Sequence, residues 1–268
     1  MSKITVAVSG ACGRMGKEVC RAVLEDEQLE LVAALDVTEK DRDIGLILDN
    51  KELGLPVEVL SKDSLQRKSP QVMVDFSTPL SVFSNTELAI SCGIRPVVGT
   101  TGLSAADLEN LGVLLNKAGL GGIVAPNFAL GAVLMMKFSA LAAHYLPQAE
   151  IIELHHDNKM DAPSGTALKT AEMIAGGRES GRDTLPAEKE EIVKLTGVRG
   201  GVREGIHIHS VRLNGLIAHQ EVIFGGTGQT LTIRHDSFDR RSFMPGVVLA
   251  VKEVVQTTGL IYGLENIL

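Results

Sequence analysis

The N-terminal segment Met1–Asp36 constrains the fold more than any other part of this 268-residue chain. A β-branched stretch, Ile4–Val8, leads into a glycine-rich loop, and a helical pattern follows over Lys17–Leu24; the loop reads Gly10-Ala11-Cys12-Gly13-Arg14-Met15-Gly16. In such a strand–loop–helix unit, the first glycine permits a tight turn and the second lets backbone approach a pyrophosphate. The third lets the helix pack closely on the strand.

Asp36 ends the next predicted strand, Leu29–Leu35, about twenty residues beyond the last glycine, as a dinucleotide fingerprint requires. A carboxylate there accepts hydrogen bonds from the adenosine ribose 2′-OH and repels a 2′-phosphate, which favours NADH. Lys40 and Arg42 follow closely and could pair with a phosphate if their loop folds back. The segment therefore predicts a βαβ unit that binds NADH or NADPH, with the preference left open.

Strands and helices continue to alternate up to residue 128. The predicted strands are Val57–Leu60, Val72–Phe76, Pro96–Val98 and Gly122–Ala125, and the predicted helices are Val82–Cys92 and Ala105–Lys117. This alternation predicts an α/β Rossmann-type domain with a parallel, doubly wound sheet. Small or polar loops follow three of its strands, and we expect them to line a ligand crevice at one sheet edge: Phe76-Ser77-Thr78, Gly99-Thr100-Thr101-Gly102 and Ala125-Pro126-Asn127.

The segment Glu153–Thr166 concentrates groups suited to acid–base chemistry; it reads Glu-Leu-His-His-Asp-Asn-Lys-Met-Asp-Ala-Pro-Ser-Gly-Thr. A predicted strand ends there, so the adjacent His155 and His156 face opposite sides unless the strand breaks between them. Imidazoles donate protons near neutral pH, and Lys159 adds a cation. Ser164 is a predicted helix N-cap whose following backbone N–H groups suit a carboxylate. We favour a site here over an ordinary polar loop.

The second half of the chain predicts an α+β domain with a mixed or antiparallel sheet. An apolar helix is predicted over Leu130–Leu146, a loop over Gly176–Lys189 and a final helix over Phe243–Thr257; the predicted strands are Ile192–Thr196, Ile206–Arg212, Ala218–Phe224 and Gln229–His235. We expect residues 1–126 with 241–268 to bind the dinucleotide and residues 127–240 to bind substrate and to oligomerise. The expected hinges lie near Asn127 and Arg240.

Composition excludes several classes of function. The net charge of −7 and the absence of a basic stripe argue against nucleic-acid binding. No apolar run reaches the roughly 18 residues of a membrane span. Cys12, Cys20 and Cys92 lack the spacing of a metal or redox motif, which indicates reduced thiols in the cytoplasm and no bound metal. An open sheet face without large aromatics predicts a homo-oligomer, and we expect a tetramer.

With these motifs in place, the chain resembles the dihydrodipicolinate reductase family over essentially its full length. The resemblance is carried by the glycine-rich loop and by three further motifs: Gly99-Thr100-Thr101-Gly102, Ala125-Pro126-Asn127-Phe128, and Glu153-x-His155-His156-x-x-Lys159-x-Asp161-Ala162-Pro163-Ser164-Gly165-Thr166-Ala167. It implies NAD(P)H-dependent reduction of 4-hydroxy-tetrahydrodipicolinate, a cyclic dicarboxylate, to tetrahydrodipicolinate in lysine and diaminopimelate biosynthesis.

The resemblance also implies residue roles. His155 would donate the proton, His156 would bind substrate, and Lys159 would act as a second acid or as a cation at the substrate. The implied carboxylate ligands are Gly165 and Thr166, and the implied nicotinamide neighbours are Phe76, Ser77, Gly99, Thr100, Thr101, Gly102, Ala125, Pro126, Asn127 and Phe128. Arg240 matches an arginine near the boundary of the substrate domain. Some members carry an arginine directly after the acidic residue to meet the NADPH phosphate; here Val37 occupies that position, so both cofactors remain expected.

Two alternatives share the nucleotide-binding half. A related two-domain amino-acid or semialdehyde dehydrogenase would have no need of the His155–Thr166 pattern. A non-catalytic NAD(H) sensor would need the glycine-rich loop but no proton donor, and a fold does not by itself settle function. The second motif therefore favours the reductase over both.

Overall fold

The structure is a computed structural model that describes residues 2–179 and 192–268. In chain order the strands are β1 Ile4–Ser9, β2 Leu29–Leu35, β3 Val57–Glu58, β4 Val72–Asp75, β5 Arg95–Val98, β6 Gly121–Val124, β7 Gln148–His155, β8 Gly201–Arg203, β9 Ile206–Arg212, β10 Ala218–Gly226, β11 Gln229–Ser237 and β12 Gly259–Tyr262. The α-helices are α1 Arg14–Glu25, α2 Ile44–Leu48, α3 Lys62–Lys68, α4 Val82–Ser91, α5 Ala105–Ala118, α6 Leu130–Ala143, α7 Gly165–Glu179 and α8 Met244–Val254. The chain divides into two compact units, Met1–Phe128 with Phe243–Leu268, and Ala129–Ser242.

The first unit is built on a seven-stranded sheet in the order β12-β6-β5-β4-β1-β2-β3, and every pairing in it is parallel. The central strands are apolar on both faces: Val6, Ala7 and Val8 in β1 are fully buried, as are Val72 and Val74 in β4. Strands covered by helices on both sides require such continuous apolar runs. The predicted Rossmann-type fold is confirmed.

The second unit contains a mixed five-stranded sheet in the order β11-β10-β7-β9-β8. Strand β7 runs parallel to β9 and antiparallel to β10, so that Ile151 lies between Ile208 and Val222. These three side chains are buried on the face that α6 and α7 cover, here called the helix-covered face. The other side, the open face, includes Ile152 and Leu154. The predicted α+β class with a mixed sheet is confirmed.

Helix α7 corrects the predicted loop Gly176–Lys189. The helix continues through Gly176 to Glu179, and the rest of the predicted loop lies outside the described residues. A Cβ at Gly177 would overlap the carbonyl oxygen of Ala140, so glycine is needed there for close contact with α6. Gly177, which the sequence pattern assigned to a loop, is therefore a helical residue at the contact between α7 and α6.

The predicted strand Ile192–Thr196 is also wrong. Its residues are exposed and form no strand. The sheet edge beside β9 is instead occupied by β8, which was not predicted and which pairs Val202 with His207. β-branched residues favour a strand only where a partner and a half-buried surface are present, and β8 already occupies that edge.

Candidate functional site

The glycine-rich loop connects β1 to α1 and can be built only with glycine at two of its positions. Gly10 has a φ of +76°, and a Cβ there would lie 2.5 Å from the carbonyl oxygen of Phe76. A Cβ at Gly16 would overlap the carbonyl oxygen of Gly10. The turn, the β4 end and the helix start are therefore in direct backbone contact.

The start of α1 suits an anion. Gly13 is its N-cap, no side chain caps the helix, and no acidic residue lies in its first turn. The N–H groups of a first turn have no partner within the helix, and the helix dipole adds positive potential there. A pyrophosphate satisfies both features, so the loop fits a dinucleotide.

Asp36 lies beside this loop at the end of β2. One carboxylate oxygen accepts a hydrogen bond from the Cys12 N–H at 2.9 Å, and the other accepts from the N–H and Oγ1 of Thr38, both at 2.9 Å. Arg42, a candidate phosphate ligand, is paired with Glu39 at 2.9 Å. Val37, which follows Asp36, is 83% exposed.

A buried carboxylate that the sequence did not single out joins two of the predicted cofactor loops. Asp75 is fully buried at the end of β4. It accepts hydrogen bonds from the N–H and Oγ of Ser77 at 3.1 and 2.7 Å, and from Thr100 Oγ1 at 2.7 Å. Asn85 Nδ2 donates to it from α4 at 3.0 Å. One carboxylate thus holds the loops after β4 and β5 together.

Aromatic packing joins the third loop to the other two. The rings of Phe76 and Phe128 lie 5.9 Å apart, after β4 and beyond β6. A Cβ at Gly99 would overlap the Phe76 ring, and one at Gly102 would lie 2.7 Å from Pro79 Cβ. The structure therefore brings the predicted cofactor loops together at the carboxyl edge of the sheet; their remaining members are Thr101, Ala125, Pro126 and Asn127.

In the second unit, strand β7 ends at His155, and His156 lies outside the strand. Side chains alternate along a strand, so Ile151, Glu153 and His155 share the helix-covered face. The His155 side chain keeps 15% of its surface exposed, whereas His156 is exposed. The strand end thus separates the two histidines into different environments.

Glu153 ties His155 to the neighbouring strand. Its side chain is fully buried, and its Oε2 accepts the His155 Nδ1–H at 2.5 Å. Both terminal nitrogens of Arg212 donate to the same carboxylate, Nη1 to Oε2 at 2.9 Å and Nη2 to Oε1 at 2.8 Å. The Ser164 N–H donates to Oε1 at 3.3 Å. Sequence reasoning missed Arg212, which the parallel register places opposite His155.

The Glu153 carboxylate is held ionised. Burial acts to raise its pKa, but hydrogen bonds from His155, Arg212 and Ser210 outweigh burial and lower the pKa to about 2. Charged partners favour the charged form of a carboxyl group more than neutral ones do. An ionised carboxylate therefore lies against Nδ1 of His155.

The loop after β7 brings the other predicted groups to the same end of the strand. Lys159 Nζ donates to both carboxylate oxygens of Asp161, at 2.7 and 2.9 Å. Ser164 Oγ accepts the Ala167 N–H at 3.2 Å, which confirms the predicted cap of α7. No atom lies within 4 Å of a Cβ built at Gly165, so a ligand can approach the backbone there. Thr166 follows in the first turn.

Arg240 lies in a short 3-10 helix, Arg240–Phe243, at the end of the second unit. Residues 2–179 and 192–268 contain no group of three or more His, Cys, Asp or Glu side chains placed to hold a metal ion. Within the same ranges, no helix combines the length and the apolar character needed to cross a bilayer.

Comparison with known proteins covers the whole chain. The dihydrodipicolinate reductase N-terminal family model matches residues 4–128, and the C-terminal model matches residues 131–268. A 4-hydroxy-tetrahydrodipicolinate reductase of Desulfitobacterium hafniense is 50% identical over 272 aligned residues, covering 100% of both chains. One from Listeria welshimeri is 52% identical over 263 residues, covering 98% of this chain and 99% of the relative.

A solved structure gives the same result. Dipicolinate-bound dihydrodipicolinate reductase from Paenisporosarcina sp. TG-14 superposes with a TM-score of 0.84 at 50% identity, covering 99% of this chain and 100% of that one. An amine dehydrogenase from Mycobacterium smegmatis, at 13% identity and a TM-score of 0.69 over 97% and 95% of the two chains, shares the fold alone. The resemblance noted in the sequence is confirmed: the chain belongs to the dihydrodipicolinate reductase family.

Proposed function

We propose that this chain catalyses the NAD(P)H-dependent reduction of 4-hydroxy-tetrahydrodipicolinate to tetrahydrodipicolinate, with the 4-hydroxyl group lost as water, in lysine and diaminopimelate biosynthesis. The observation that carries the proposal is the end of β7, where the Nδ1–H of His155 is bound to the buried carboxylate of Glu153. Lys159 and the N-terminus of α7 follow within one loop. A relative with the same fold is named as dipicolinate-bound, which fits a cyclic dicarboxylate as ligand.

The first unit would hold the cofactor. Its pyrophosphate would bind at the start of α1 beside Gly13, where no side chain caps the helix, and Asp36 would accept hydrogen bonds from the adenosine ribose. The loops held by Asp75 and the Phe76–Phe128 pair are the proposed neighbours of the nicotinamide. When bound, the reduced nicotinamide supplies a hydride.

Residues of the second unit would bind the substrate and supply the proton. Since the Nδ1–H of His155 is donated to Glu153, Nε2 is the nitrogen left to give a proton. Lys159 and the N–H groups of Gly165 and Thr166 suit the two carboxylates, and His156 would add a further contact. Those carboxylates are charged throughout the reaction, so these contacts position the ring without favouring the transition state.

We propose that NADH and NADPH are both used. The Asp36 carboxylate opposes a 2′-phosphate. The Arg42 guanidinium would attract one, but its ion pair with Glu39 competes. Val37 offers no charge at the position next to Asp36. No single group in this part of the chain selects strongly for either cofactor.

For the domain roles and the assembly, we propose what the sequence predicts. We assign cofactor binding to residues 1–126 with 241–268, and substrate binding and association to residues 127–240. Ile152 and the register partners Leu154 and Val211 give the open face an apolar strip, which supports association of copies into a homotetramer. Sedimentation velocity tests that assembly. The three free cysteines fit the reducing cytoplasm.

The test is oxidation of NADH and NADPH, followed by absorbance, with substrate generated in place from pyruvate and aspartate semialdehyde by a coupling synthase. We expect rapid, substrate-dependent oxidation. His155→Gln should lower kcat by about a hundredfold or more, because a positioned general acid is lost, while NADH binding changes little. His144→Gln, at the end of α6, is the control and should keep native turnover.

Each alternative function has its own outcome. Tight binding of NADH without turnover would favour a sensor, and turnover restricted to another amino-acid or semialdehyde substrate would favour a related dehydrogenase. Near-native kcat in His155→Gln would remove His155 from the role of proton donor even if the native chain is a reductase.

A further inference from the structure

We propose that Glu153 and Arg212 act as a pair of positioning residues for His155. Glu153 fixes the imidazole with Nδ1–H turned inward, so that Nε2 carries the proton that is transferred. Arg212 balances the Glu153 charge, so that the proton can leave without exposing a buried anion. This inference rests on the proposed function, which makes His155 the proton donor.

The geometry of β7 gives Glu153 this role. Residues two apart on a strand face the same side, so the Glu153 carboxylate reaches back to the ring of His155 at 2.5 Å. The Glu153 carboxylate is fully buried, while the His155 side chain keeps 15% of its surface exposed. A neutral imidazole has one protonated nitrogen, and this hydrogen bond places that proton on Nδ1. Nε2 is then the only nitrogen that gains and loses a proton.

Arg212 changes the energy of proton loss. Its two terminal nitrogens bind the two oxygens of Glu153, and Nη2 also donates to the carbonyl oxygen of Asp161 at 2.7 Å. Without Arg212, deprotonation of His155 would leave a buried carboxylate with no cation beside it, which is costly. With Arg212 present, the three groups change from one net positive charge to none. The guanidinium therefore keeps the Glu153 charge balanced when His155 gives up its proton.

In the described part of the chain, polar and charged groups approach this cluster from the neighbouring strands, from α7 and from the loop after β7. Strand β10 places Ala218 and Gln220 opposite His155 and Glu153, and β11 places His235 beyond Gln220. On β9, the Ser210 side chain is hydrogen-bonded to the Glu153 carboxylate, as Arg212 is. Just before α7, the Ser164 N–H donates to the same carboxylate. In the loop after β7, Lys159 is paired with Asp161. Arg212 is the guanidinium bound to Glu153, so its removal should have a distinct signature.

The same strand provides a matched control. Glu150 also accepts hydrogen bonds from a histidine and an arginine, His209 at 2.8 Å and Arg199 at 2.5 Å. It lies three residues before Glu153 and therefore faces the opposite side of the sheet. A Glu150→Gln variant removes equivalent interactions from β7 without touching His155.

The experiment compares the pH dependence of kcat in four variants. In Glu153→Gln the imidazolium loses its anion, so the midpoint of the kcat–pH profile should move to lower pH by roughly one to two units. At neutral pH, kcat should fall by a larger factor than KM changes. In Arg212→Met the midpoint should move to higher pH, with a lower plateau. Glu153→Asp should bring the midpoint back toward the native value, and Glu150→Gln should leave it in place. Equal midpoints in all four, or shifts of one sign in both Glu153→Gln and Arg212→Met, would overturn the proposal.

A second measurement does not depend on turnover. In the native protein labelled with ¹⁵N-histidine, the His155 resonances, assigned by comparison with His155→Gln, should show Nδ1 protonated throughout and Nε2 titrating. Titration at Nδ1 would overturn the proposal even if every glutamate variant failed to fold. A native chain without reductase activity would instead refute the proposed function and leave this NMR result interpretable.

Discussion

Two buried carboxylates, one in each unit, differ in the partners that satisfy them. Asp75 in the first unit is bound by neutral donors: the backbone and hydroxyl of Ser77, the hydroxyl of Thr100 and the amide of Asn85. Glu153 in the second unit is bound by an arginine and by His155, which can itself carry charge. Both side chains are fully buried, so the difference lies in partners and not in depth.

Because of this difference, we expect Asp75 to position loops and Glu153 to control the proton on His155. Neutral hydrogen bonds to Asp75 fix where the loops after β4 and β5 lie, and none of these donors gains or loses a proton near neutral pH. At Glu153, the charge state of one partner changes when His155 titrates. We therefore expect substitutions at Asp75 to act on cofactor binding, and substitutions at Glu153 to act on the pH dependence of stability and turnover.

The largest effect on stability is expected for Glu153→Gln. The native carboxyl has a pKa near 2, below its ordinary value of 4.5, so its ionised form stabilises the fold at pH values above 4.5. That contribution, on the order of 3 kcal/mol, is lost as pH falls from 4.5 toward 2. Urea unfolding from pH 7 to pH 3 should show a gap between native and Glu153→Gln proteins that narrows below pH 4.5. If the difference in unfolding free energy stays constant with pH, the ionised Glu153 carboxylate does not stabilise the fold through its charged partners.

A smaller effect is expected for Asp75→Asn. The amide would turn a donor toward groups that already donate, leaving a buried donor unsatisfied at a cost of about 2 kcal/mol. Displaced loops should raise KM for the cofactor by about tenfold, equivalent to about 1.4 kcal/mol, with an unchanged midpoint in the kcat–pH profile. Asp107→Asn, in the exposed capping box of α5, is the control. A shifted midpoint in Asp75→Asn would erase the distinction between the two carboxylates.

The sequence predicted the parts of this comparison that depend on local pattern. The glycine-rich loop, the end of β7 at His155 and the cap at Ser164 were all readable from residue type and spacing. Strand alternation also implies that Glu153 and His155 share a face, since they are two residues apart. Local chemistry was therefore accessible without a structure.

The partners of the two carboxylates were not accessible in this way. Arg212 lies 59 positions from Glu153, and only the register of β7 against β9 brings them together. Thr100 lies 25 positions from Asp75 and meets it only when β4 and β5 pair. Register is set by which faces become buried across the whole sheet, so a single stretch of sequence does not contain it. The start of the predicted loop Gly176–Lys189 was wrong for the same reason, because Gly177 packs against Ala140, which belongs to another helix.

The smallest effect, on cofactor preference, is expected at Val37, an exposed residue outside the two hydrogen-bonded clusters of the buried carboxylates. In Val37→Arg a guanidinium would meet a cofactor 2′-phosphate from the solvent side, next to Asp36. An exposed ion pair contributes less than about 1 kcal/mol, so the kcat/KM ratio of NADPH to NADH should rise by no more than about fivefold. Val37→Gln adds similar bulk without charge and should leave the ratio near its native value. If both variants raise the ratio equally, side-chain bulk rather than charge at this position governs cofactor preference.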